Sequence, residues 1–344
     1  MRQLLIGIIG YGRIGAEHAR WISRSAGGRV ACVADPTAPR REIARRDGFE
    51  STPSVQQLLD RGDLDAVLVA SPTSMHLEHA RAALAAKKHV MVEKPIALDA
   101  RGADELRTLA AAESRVLSVF HNRRWDVDFL TVCRAVREGA FGKLINVESR
   151  LGQWSSCVGP AAREFRPNWR NEASFGGGGL YDWGSHFVDQ MLLLMQPAKP
   201  QTVFGQLRGN VWTADCDDLA RVCINFDSGA VGLVEINTTT TRPLPRWHVD
   251  GTAGSADAPF SLTFDTRAWA QFTFVSSDGA SRRLDPAPPG LDEVAIWDQF
   301  VRACRGECAP AVTIESVLPT MALLDAARES SRSGVAVRLD QQSS

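Results

Sequence analysis

The sequence predicts an α/β protein with two domains: an N-terminal doubly wound parallel sheet, then a C-terminal α+β domain with a large, mainly antiparallel sheet. Three observations predict this fold class. Apolar strands alternate with helical patterns over residues 1–121. A glycine-rich turn joins the first strand to the first helix. Short strands with few helices between them dominate residues 122–344. At 344 residues the chain is long enough to bury two separate cores.

Bulk composition narrows the function classes. The chain is 44% hydrophobic and 23% charged, with a net charge of -1 and no block of like charges. This balance argues against nucleic acid or an anionic membrane as the main partner. We find no apolar run as long as a membrane span and no leader segment, so we expect a cytoplasmic protein.

The cysteines do not suggest a metal site. Seven are scattered along the chain, and none forms a Cys-x-x-Cys motif. Cys304 and Cys308 are four positions apart, and such a pair alone is far short of a zinc ligand set. We therefore expect reduced thiols and no bound metal, and a metal hydrolase is poorly supported.

The first strand, residues 4–10, is an unbroken apolar run of the kind that is buried on both faces of a parallel sheet. It leads into the pattern G-x-G-x-x-G and then into a helical pattern. This is the strand-turn-helix setting of the dinucleotide-binding (Rossmann) fingerprint, in which the glycines let a pyrophosphate approach the helix N-terminus. The cofactor contacts predicted here are Gly10, Gly12, Arg13, Ile14 and Gly15.

The second strand, residues 29–34, ends in Asp35. An acidic residue about 20 positions after the last fingerprint glycine is expected to bind the hydroxyls of the adenosine ribose. A carboxylate there repels a 2′-phosphate, so we predict NAD, with NADP as the alternative because Arg40 and Arg41 follow closely. A simple turn or capping role for Asp35 before Pro36 is the competing interpretation.

The fourth strand, residues 65–70, ends in Ser71 and Pro72, and the ends of strands at this edge should line the nicotinamide pocket. A helix is predicted from residue 75 to 87. His76 lies on its first turn, close enough to this edge to be a cofactor candidate. His79, one turn further, is expected on the helix surface.

A short strand that begins at His89 ends in Glu93, Lys94 and Pro95. It delivers a lysine to the sheet edge where ligands bind. We predict that Glu93 and Lys94 contact the cofactor and that Lys94 also contacts substrate. A helix at residues 99–114 and a last strand at 116–120 complete the first domain.

Beyond residue 120 the pattern changes. A polar and aromatic stretch at residues 121–126 precedes an amphipathic helix at 129–138. Strands are then predicted at residues 142–150, 202–205, 220–226, 230–236, 247–250 and 269–275. Their period-two alternation predicts an antiparallel sheet whose outer face is either solvated or an oligomer interface. Helices are predicted at residues 292–304 and 314–331, and Pro319 either kinks or starts the second.

A second cluster of chemically active side chains follows a run of four glycines at residues 176–179. The glycines leave room for close approach by a ligand or by backbone. On a helix Asp182 and His186, four positions apart, share a face, and Asp189 lies three positions further. A carboxylate one turn from an imidazole orients it and stabilises its protonated form. The alternative is a capping Asp with a packed His.

Taken in order, the glycine fingerprint, Asp35, Glu93-Lys94-Pro95 and the Asp182/His186/Asp189 spacing resemble the glucose-fructose oxidoreductase/inositol dehydrogenase (Gfo/Idh/MocA) family over nearly the whole chain. Within the family, residues 121–126 together with the motif Tyr181-Asp182-x-Gly184-Ser185-His186 are similar to the scyllo-inositol dehydrogenase branch. The resemblance implies that Lys94, Asp182 and His186 form a catalytic triad. It also implies substrate contacts from Arg123, Trp169 and Arg170.

Two features depart from that branch. Its NADP-using members tend to have Ser-Arg where this chain has Ala34-Asp35, so their cofactor preference is not carried over. Residues 151–170 do not match the branch pattern, and we expect this loop to shape the substrate pocket.

The expected reaction is the reversible oxidation of a secondary alcohol on a sugar or cyclitol, with hydride transfer to nicotinamide. His186 is the expected general base, Asp182 orients it, and Lys94 stabilises charge on the reacting oxygen. Two alternatives remain open: a glycosidase that oxidises its substrate transiently, and a non-catalytic sensor of nucleotides. The family-like sheet predicts a homodimer or homotetramer.

Overall fold

The structure is a computed structural model that describes residues 2–157, 169–209, 211–260 and 265–339. Within these ranges the first sheet has six strands, all paired in parallel, in the order β3-β2-β1-β4-β5-β6. The strands are β1 (Leu4–Ile9), β2 (Gly28–Ala34), β3 (Glu50–Thr52), β4 (Ala66–Val69), β5 (His89–Val92) and β6 (Leu117–Val119). The strand order reverses between β1 and β4, where doubly wound sheets bind their ligands.

The helices of this half are α1 (Arg13–Arg24), α2 (Ala38–Arg46), α3 (Val55–Leu59), α4 (His76–Ala85) and α5 (Ala100–Ala112). Side-chain caps fix two of the starts. Ser54 accepts a hydrogen bond from Gln57 N at α3, and Asp99 accepts one from Gly102 N at α5. The helix predicted from residue 75 is preceded by a 3₁₀ turn at Thr73–Met75. The short elements α2 and β3 were not predicted.

The second sheet has nine strands in the described part of the chain, in the order β14-β13-β12-β11-β7-β10-β9-β8-β15. Their bounds are β7 (Leu144–Gly152), β8 (Pro200–Arg208), β9 (Leu219–Phe226), β10 (Val231–Asn237), β11 (Trp247–Gly251), β12 (Gly254–Ala258), β13 (Thr273–Ser276), β14 (Ser281–Arg283) and β15 (Val337–Arg338). Its pairs are antiparallel except for β10 with β7. The predicted fold class is confirmed.

One predicted strand is partly a helix. Residues 269–275 were expected to be extended, but Asp265 accepts hydrogen bonds from two backbone amides and starts the short helix α8 (Thr266–Trp269). Strand β13 begins only at Thr273. Trp269, Phe272 and Phe274 are all buried although only Phe274 lies in β13, so burial of aromatic residues did not mark where the strand begins.

The remaining helices are α6 (Val127–Arg137), α7 (Ser185–Leu194), α9 (Glu293–Cys304) and α10 (Leu318–Ser333). Pro319 lies in the first turn of α10, so it starts this helix and does not kink it. Helix α9 packs on the first sheet: Trp297 and Phe300 are buried in the same apolar cluster as Ile6 and Ile22. The chain thus returns to its N-terminal half, and the boundary at residue 121 remains a prediction.

The second sheet has one covered and one open face. Residues of β9 alternate between buried and exposed positions, as the period-two pattern predicts. Phe204 and Val231 are 37% and 39% exposed on the open face.

All seven cysteines lie in described residues and are free thiols. Among the described helices, none has both the length and the apolar character to cross a membrane.

Candidate active site

The glycine turn after β1 has the shape that the fingerprint requires. Gly10 has a φ of +94°, and a Cβ there would lie 2.6 Å from the carbonyl oxygen of Ala70. A Cβ at Gly15 would collide with the carbonyl oxygen of Gly10. At Gly12, by contrast, the nearest atom to a Cβ would be in Arg40, 3.8 Å away. The first and third glycines therefore serve packing, and the second leaves an open cradle that fits a pyrophosphate.

The start of α1 suits an anion. Its N-cap is Gly12, which has no side chain to accept hydrogen bonds from the amides of the first turn, and no acidic residue lies in that turn. The first-turn residues include Arg13 and Ile14, both predicted cofactor contacts. Arg13 Nη1 lies 3.3 Å from Glu17 Oε1 on the exposed side of the helix. The helix N-terminus thus leaves amides for a phosphate.

Asp35 lies at the end of β2 beside this turn, and it is buried. Its Oδ2 accepts a hydrogen bond from Tyr11 N at 2.8 Å, and its Oδ1 accepts from the amide and hydroxyl of Thr37 at 2.8 and 2.6 Å. Arg40 Nη1 is 4.0 Å from Oδ2. The carboxylate is where a ribose diol is expected, and a guanidinium stands next to it.

The ends of β4 and β5 are tied together by His76. Its Nδ1 lies 2.7 Å from the Pro95 carbonyl oxygen and its Nε2 lies 2.8 Å from the Ser71 carbonyl oxygen. Burial lowers the pKa of His76 although both carbonyls favour the protonated ring, and a neutral ring donates only one of these bonds. Both nitrogens thus contact backbone carbonyls of the two loops, and the contact of His76 with the cofactor remains a prediction. Ser71 and Pro72 stay at the sheet edge.

We predicted His79 on the surface of α4, but the structure buries it. It is 7% exposed, and its Nδ1 lies 2.9 Å from Ser71 Oγ. The helical face that carries both histidines is turned towards the end of β4. Burial lowers the pKa of His79, so this histidine acts as a neutral hydrogen-bonding partner of Ser71.

Lys94 follows β5 and extends across to the second domain. Its Nζ donates to the backbone carbonyl of Asp182 and lies 3.3 Å from Asp182 Oδ1. Both side chains are 14% exposed. This pair joins the catalytic candidate of the first sheet to the start of α7.

We predicted that Glu93 contacts the cofactor. In the structure, both of its carboxylate oxygens lie within hydrogen-bond distance of protein groups. Its Oε1 lies 2.8 Å from His18 Nε2, and its Oε2 accepts a hydrogen bond from Lys94 N at 3.1 Å. Trp297 Nε1 donates to His18 Nδ1 at 3.0 Å, which leaves His18 Nε2 as the donor to Glu93. Burial alone would raise the pKa of Glu93, but His18 holds it below its ordinary value. Glu93 thus anchors the backbone of Lys94, and its contact with the cofactor remains a prediction.

Asp182 is held by two cations. Arg170 Nε lies 3.3 Å from Asp182 Oδ1, the same oxygen that faces Lys94. Burial alone would raise the pKa of Asp182, but Lys94 and Arg170 lower it below its ordinary value. The carboxylate is therefore ionised, and it neutralises part of this positive charge.

The predicted orientation of His186 by Asp182 is not what the geometry provides. Residues Leu180–Gly184 form a π-helical turn, so the spacing of four does not place the two side chains as an α-helix would. The hydrogen bonds recorded for the Asp182 carboxylate go to Lys94 and Arg170, and His186 Nδ1 has no hydrogen-bond partner among the described residues. The prediction failed because it used ideal helical spacing and two cations compete for the carboxylate.

His186 is buried at the start of α7, with 5% of its surface exposed. Its pKa lies well below the ordinary value because of burial and, next, the charge of Lys94. His121 and Arg123 lower the pKa further. The ring is therefore neutral near pH 7, which is the protonation state that a general base requires.

At Gly178, the glycine run before α7 makes room for a protein side chain and not for a ligand. Gly178 has a φ of +105°, and a Cβ there would collide with Asp217. Asp217 Oδ2 accepts a hydrogen bond from Leu180 N at 2.7 Å. Burial raises the pKa of Asp217 to about 6. The run thus lets a residue from before β9 cap the turn that carries Asp182.

The predicted substrate contacts lie around this centre. Arg170 stacks over Trp169, with its guanidinium carbon 4.3 Å from the ring centroid. Arg123 lies over the ring of Trp183 at 5.8 Å and 3.4 Å from Asp126. Burial raises the pKa of Asp126 to about 7. Most of the loop predicted to shape the pocket, residues 158–168, lies outside the described residues.

Sequence reasoning missed three side chains that complete the centre. His18 supports Glu93, as described above. His121 lies two positions after the end of β6 and faces His186, with ring centroids 5.5 Å apart. Arg124 donates to both oxygens of Asp189, at 2.6 and 2.7 Å. Position after a strand end was the available signal for His121.

Across the described ranges, no group of three His, Cys, Asp or Glu residues has a metal-binding arrangement.

Family models match both halves of the chain. Residues 4–121 match a model described as an oxidoreductase family with an NAD-binding Rossmann fold. Residues 129–257 match the GFO/IDH/MocA C-terminal domain. The first match includes the glycine turn, Asp35 and Lys94.

Known proteins of this kind are similar to the chain. The scyllo-inositol 2-dehydrogenase (NADP(+)) IolW of Bacillus subtilis (strain 168) is 31% identical over 215 residues, 61% of this chain and 57% of IolW. The chain thus spans little more than half of that relative's length. The 1,5-anhydro-D-fructose reductase of Ensifer adhaerens is 27% identical and matches over 97% of this chain and 98% of its own. The crystal structure of an NAD-binding protein from Listeria innocua superposes with a TM-score of 0.87 at 28% identity, covering 98% of this chain and 97% of that one.

Proposed function

Because the chain belongs to the Gfo/Idh/MocA family of oxidoreductases, we propose that it interconverts a secondary alcohol and a ketone on a sugar or cyclitol. The observation that carries the proposal is the contact between Lys94 Nζ and Asp182, which joins the ligand-binding edge of the first sheet to the helix that bears His186. Two relatives, a scyllo-inositol 2-dehydrogenase and a 1,5-anhydro-D-fructose reductase, support the substrate class.

The N-terminal half fits a nicotinamide dinucleotide. The open cradle at Gly12 and the amides of α1 suit the pyrophosphate, and Asp35 suits the adenosine ribose. Ser71 and Pro72 lie at the edge where the nicotinamide is expected. When bound there, the cofactor supplies the acceptor for the hydride that leaves the carbinol carbon. We propose NAD as the preferred form, since Asp35 repels a 2′-phosphate.

Lys94 and His186 divide the work on the substrate hydroxyl. Lys94 donates a hydrogen bond to the reacting oxygen and stabilises the negative charge that develops on it. His186 accepts the hydroxyl proton at Nε2, since the unprotonated ring is favoured by its low pKa. In the reverse direction the same imidazole returns the proton to the alkoxide.

Asp182 and Arg170 set the charge of the site. The Asp182 carboxylate offsets part of the positive charge of Lys94, which would otherwise oppose protonation of His186. It also holds the amine of Lys94 in place. Arg170, stacked on Trp169, and Arg123, stacked over Trp183, offer donors to the other hydroxyls of a sugar or cyclitol. We propose that these two arginines select substrate orientation.

The experiment is a panel of inositols and sugars tested with both NAD⁺ and NADP⁺, with reduced nucleotide followed by its absorbance. The proposal expects reduced nucleotide with at least one polyol, and faster turnover with NAD⁺. Release of free sugar without net reduced nucleotide would identify the transient-oxidation glycosidase instead. Tight nucleotide binding without turnover on the whole panel would favour the sensor.

We also propose that the chain forms a homodimer or homotetramer through the open face of the second sheet. Phe204 and Val231 expose apolar surface there, next to the exposed Cys223. Light scattering at working concentration tests this assembly. A mass of one chain at all concentrations would refute it.

A further inference from the structure

His121 is a buried imidazole that the proposed mechanism has not used. It follows β6 and is 1% exposed. Neither of its ring nitrogens has a hydrogen-bond partner within the described residues, and the same holds for His186 Nδ1. A buried polar atom without a partner is uncommon and costly, so three of them in adjacent rings need an explanation.

The two imidazoles are in direct contact. Their ring centroids are 5.5 Å apart, and the ring planes meet at 86°. The contact therefore brings His186, whose Nδ1 lacks a hydrogen-bond partner in the described part of the chain, next to a ring whose Nε2 also lacks one there. A single water between the nitrogens serves equally well, since a water-mediated hydrogen bond is nearly as favourable as a direct one.

A carboxylate lies on the Nδ1 side of His121. Asp189 Oδ2 lies 3.7 Å from His121 Nδ1. Arg124 binds both oxygens of Asp189, and Thr320 Oγ1 donates to Asp189 Oδ1 at 3.1 Å. Burial alone would raise the pKa of Asp189, but His121 and Arg124 hold it below its ordinary value. An ionised acceptor is therefore fixed on the Nδ1 side of His121.

We propose that His121 is the positioning residue of His186: it carries its hydrogen on Nδ1, towards Asp189, and accepts the hydrogen of His186 Nδ1 at its own Nε2. This alignment leaves His186 Nε2 unprotonated for the substrate hydroxyl. His121 thereby takes the orienting role that sequence spacing gave to Asp182. Its consequence for catalysis rests on the proposed function, whereas the alignment itself does not.

No proton leaves the pair in this arrangement. When His186 Nε2 takes the substrate proton, the imidazolium keeps its Nδ1 hydrogen bond to His121, and Asp189 stabilises the added charge from the Nδ1 side of His121. The charged groups that act on His186 are Lys94 and Arg123, which both disfavour its protonation. Those that act on His121 are Asp189, Arg124, Lys94 and Glu93.

The test compares His121→Phe, which keeps a ring but removes the acceptor, with His121→Gln, which restores an acceptor near Nε2. For His121→Phe we expect kcat to fall roughly 10- to 100-fold with KM changed less than about two-fold, and the acid limb of the kcat/KM profile to move to lower pH. His121→Gln should recover a large part of kcat. His248→Gln is the matched control, because His248 lies on the second sheet between Asp250 and Asp257.

A second measurement separates this proposal from the proposed function. Long-range proton–nitrogen correlation spectra of histidine-labelled protein report the tautomer of His186 without any substrate. We expect the Nδ1-protonated form in the wild type and a mixture of tautomers in His121→Phe. An unchanged tautomer in His121→Phe, or equal loss of kcat in the Phe and Gln variants, would overturn the positioning role. Lack of turnover by the wild type would overturn only the proposed function.

Discussion

Lys94 Nζ lies 3.3 Å from Oδ1 of Asp182, although 88 positions separate the two residues along the chain. The contact ties the end of β5 to the turn that starts α7, and it has Arg170 as a third member. It places an amine, a carboxylate and a buried imidazole in one electrostatic unit. The predictions below test the parts of this unit and of the cofactor site.

Asp182→Asn should destabilise the protein. The amide cannot neutralise Lys94 and Arg170, and removing one partner of a buried pair typically costs about 3 kcal/mol or more. Because the pKa of Asp182 is lowered on folding, its contribution is present above the ordinary carboxyl pKa and is lost as the pH falls through the folded value. Urea unfolding at several pH values measures both effects.

The control for this variant is Asp63→Asn, which removes a pair with Arg61 at the protein surface. Exposed ion pairs contribute little, so its unfolding curve should nearly coincide with that of the wild type. If Asp182→Asn were as stable as Asp63→Asn at neutral pH, the buried unit would not have the strength described here.

Gly12→Ala should fold but lose affinity for the dinucleotide. The backbone of Gly12 is extended, which alanine adopts readily, and the nearest atom to the new methyl group is 3.8 Å away. The methyl group would occupy the cradle that the pyrophosphate needs. Titration calorimetry with NADH should show at least about ten-fold weaker binding, equivalent to about 1.4 kcal/mol. Gly62→Ala, where a Cβ meets nothing within 4 Å, should bind normally.

Asp35→Ser should shift the cofactor preference towards NADP. The substitution removes the charge that repels a 2′-phosphate and leaves Arg40, whose Nη1 is 4.0 Å from the carboxylate, beside the ribose site. The ratio of kcat/KM for NAD⁺ to that for NADP⁺ should fall by about ten-fold or more. A ratio that does not change would show that Asp35 serves only the hydrogen bonds to Tyr11 and Thr37.

His121 should make the protein sensitive to acid. Burial lowers the pKa of His121 to about 4, against 6.5 for a free histidine. Between these values the unfolded chain binds one more proton than the folded chain, so stability falls as the pH decreases from about 6.5 to about 4. In urea unfolding, the free energy of unfolding of His121→Phe should fall less than that of the wild type over this pH range, by up to about 3 kcal/mol.

His248 provides a contrast of opposite sign. Burial tends to lower its pKa, but hydrogen bonds to Asp257 and Asp250 raise it above the ordinary value. Its contribution is present at low pH and is lost as the pH rises through the folded value. His248→Gln should therefore lose stability mainly on the acid side. Equal slopes in the two histidine variants would contradict the assignment of His121 as a buried neutral ring.

The parts of the site that the sequence predicted are those set by local backbone rules. Gly10, Gly12 and Gly15 follow a strand and precede a helix, and the turn geometry leaves few other roles for them. Lys94 was expected at the ligand-binding edge because residues at the ends of parallel strands share that edge. Both inferences need only neighbours in sequence and the handedness of the fold.

The relationships that were missed depend on contacts between distant segments. The link from Trp297 through His18 to Glu93 needs α9 to return to the first sheet, which no local pattern signals. Asp182 and His186 were paired by ideal helical spacing, and the π-helical turn with the competition from Lys94 and Arg170 changed the outcome. Local spacing cannot reveal which partner a buried carboxylate will choose.

The most direct measurement is turnover of the best polyol by the wild type, by Lys94→Ala and by His186→Ala, each checked for folding and for NADH affinity. Loss of a general base or of the oxyanion donor is expected to lower kcat/KM by about 100- to 10,000-fold, while the NADH affinity of His186→Ala stays within a few-fold. If both variants turned over within a few-fold of the wild type, the amine and the imidazole would have no part in the chemistry, and the proposed active site would be wrong.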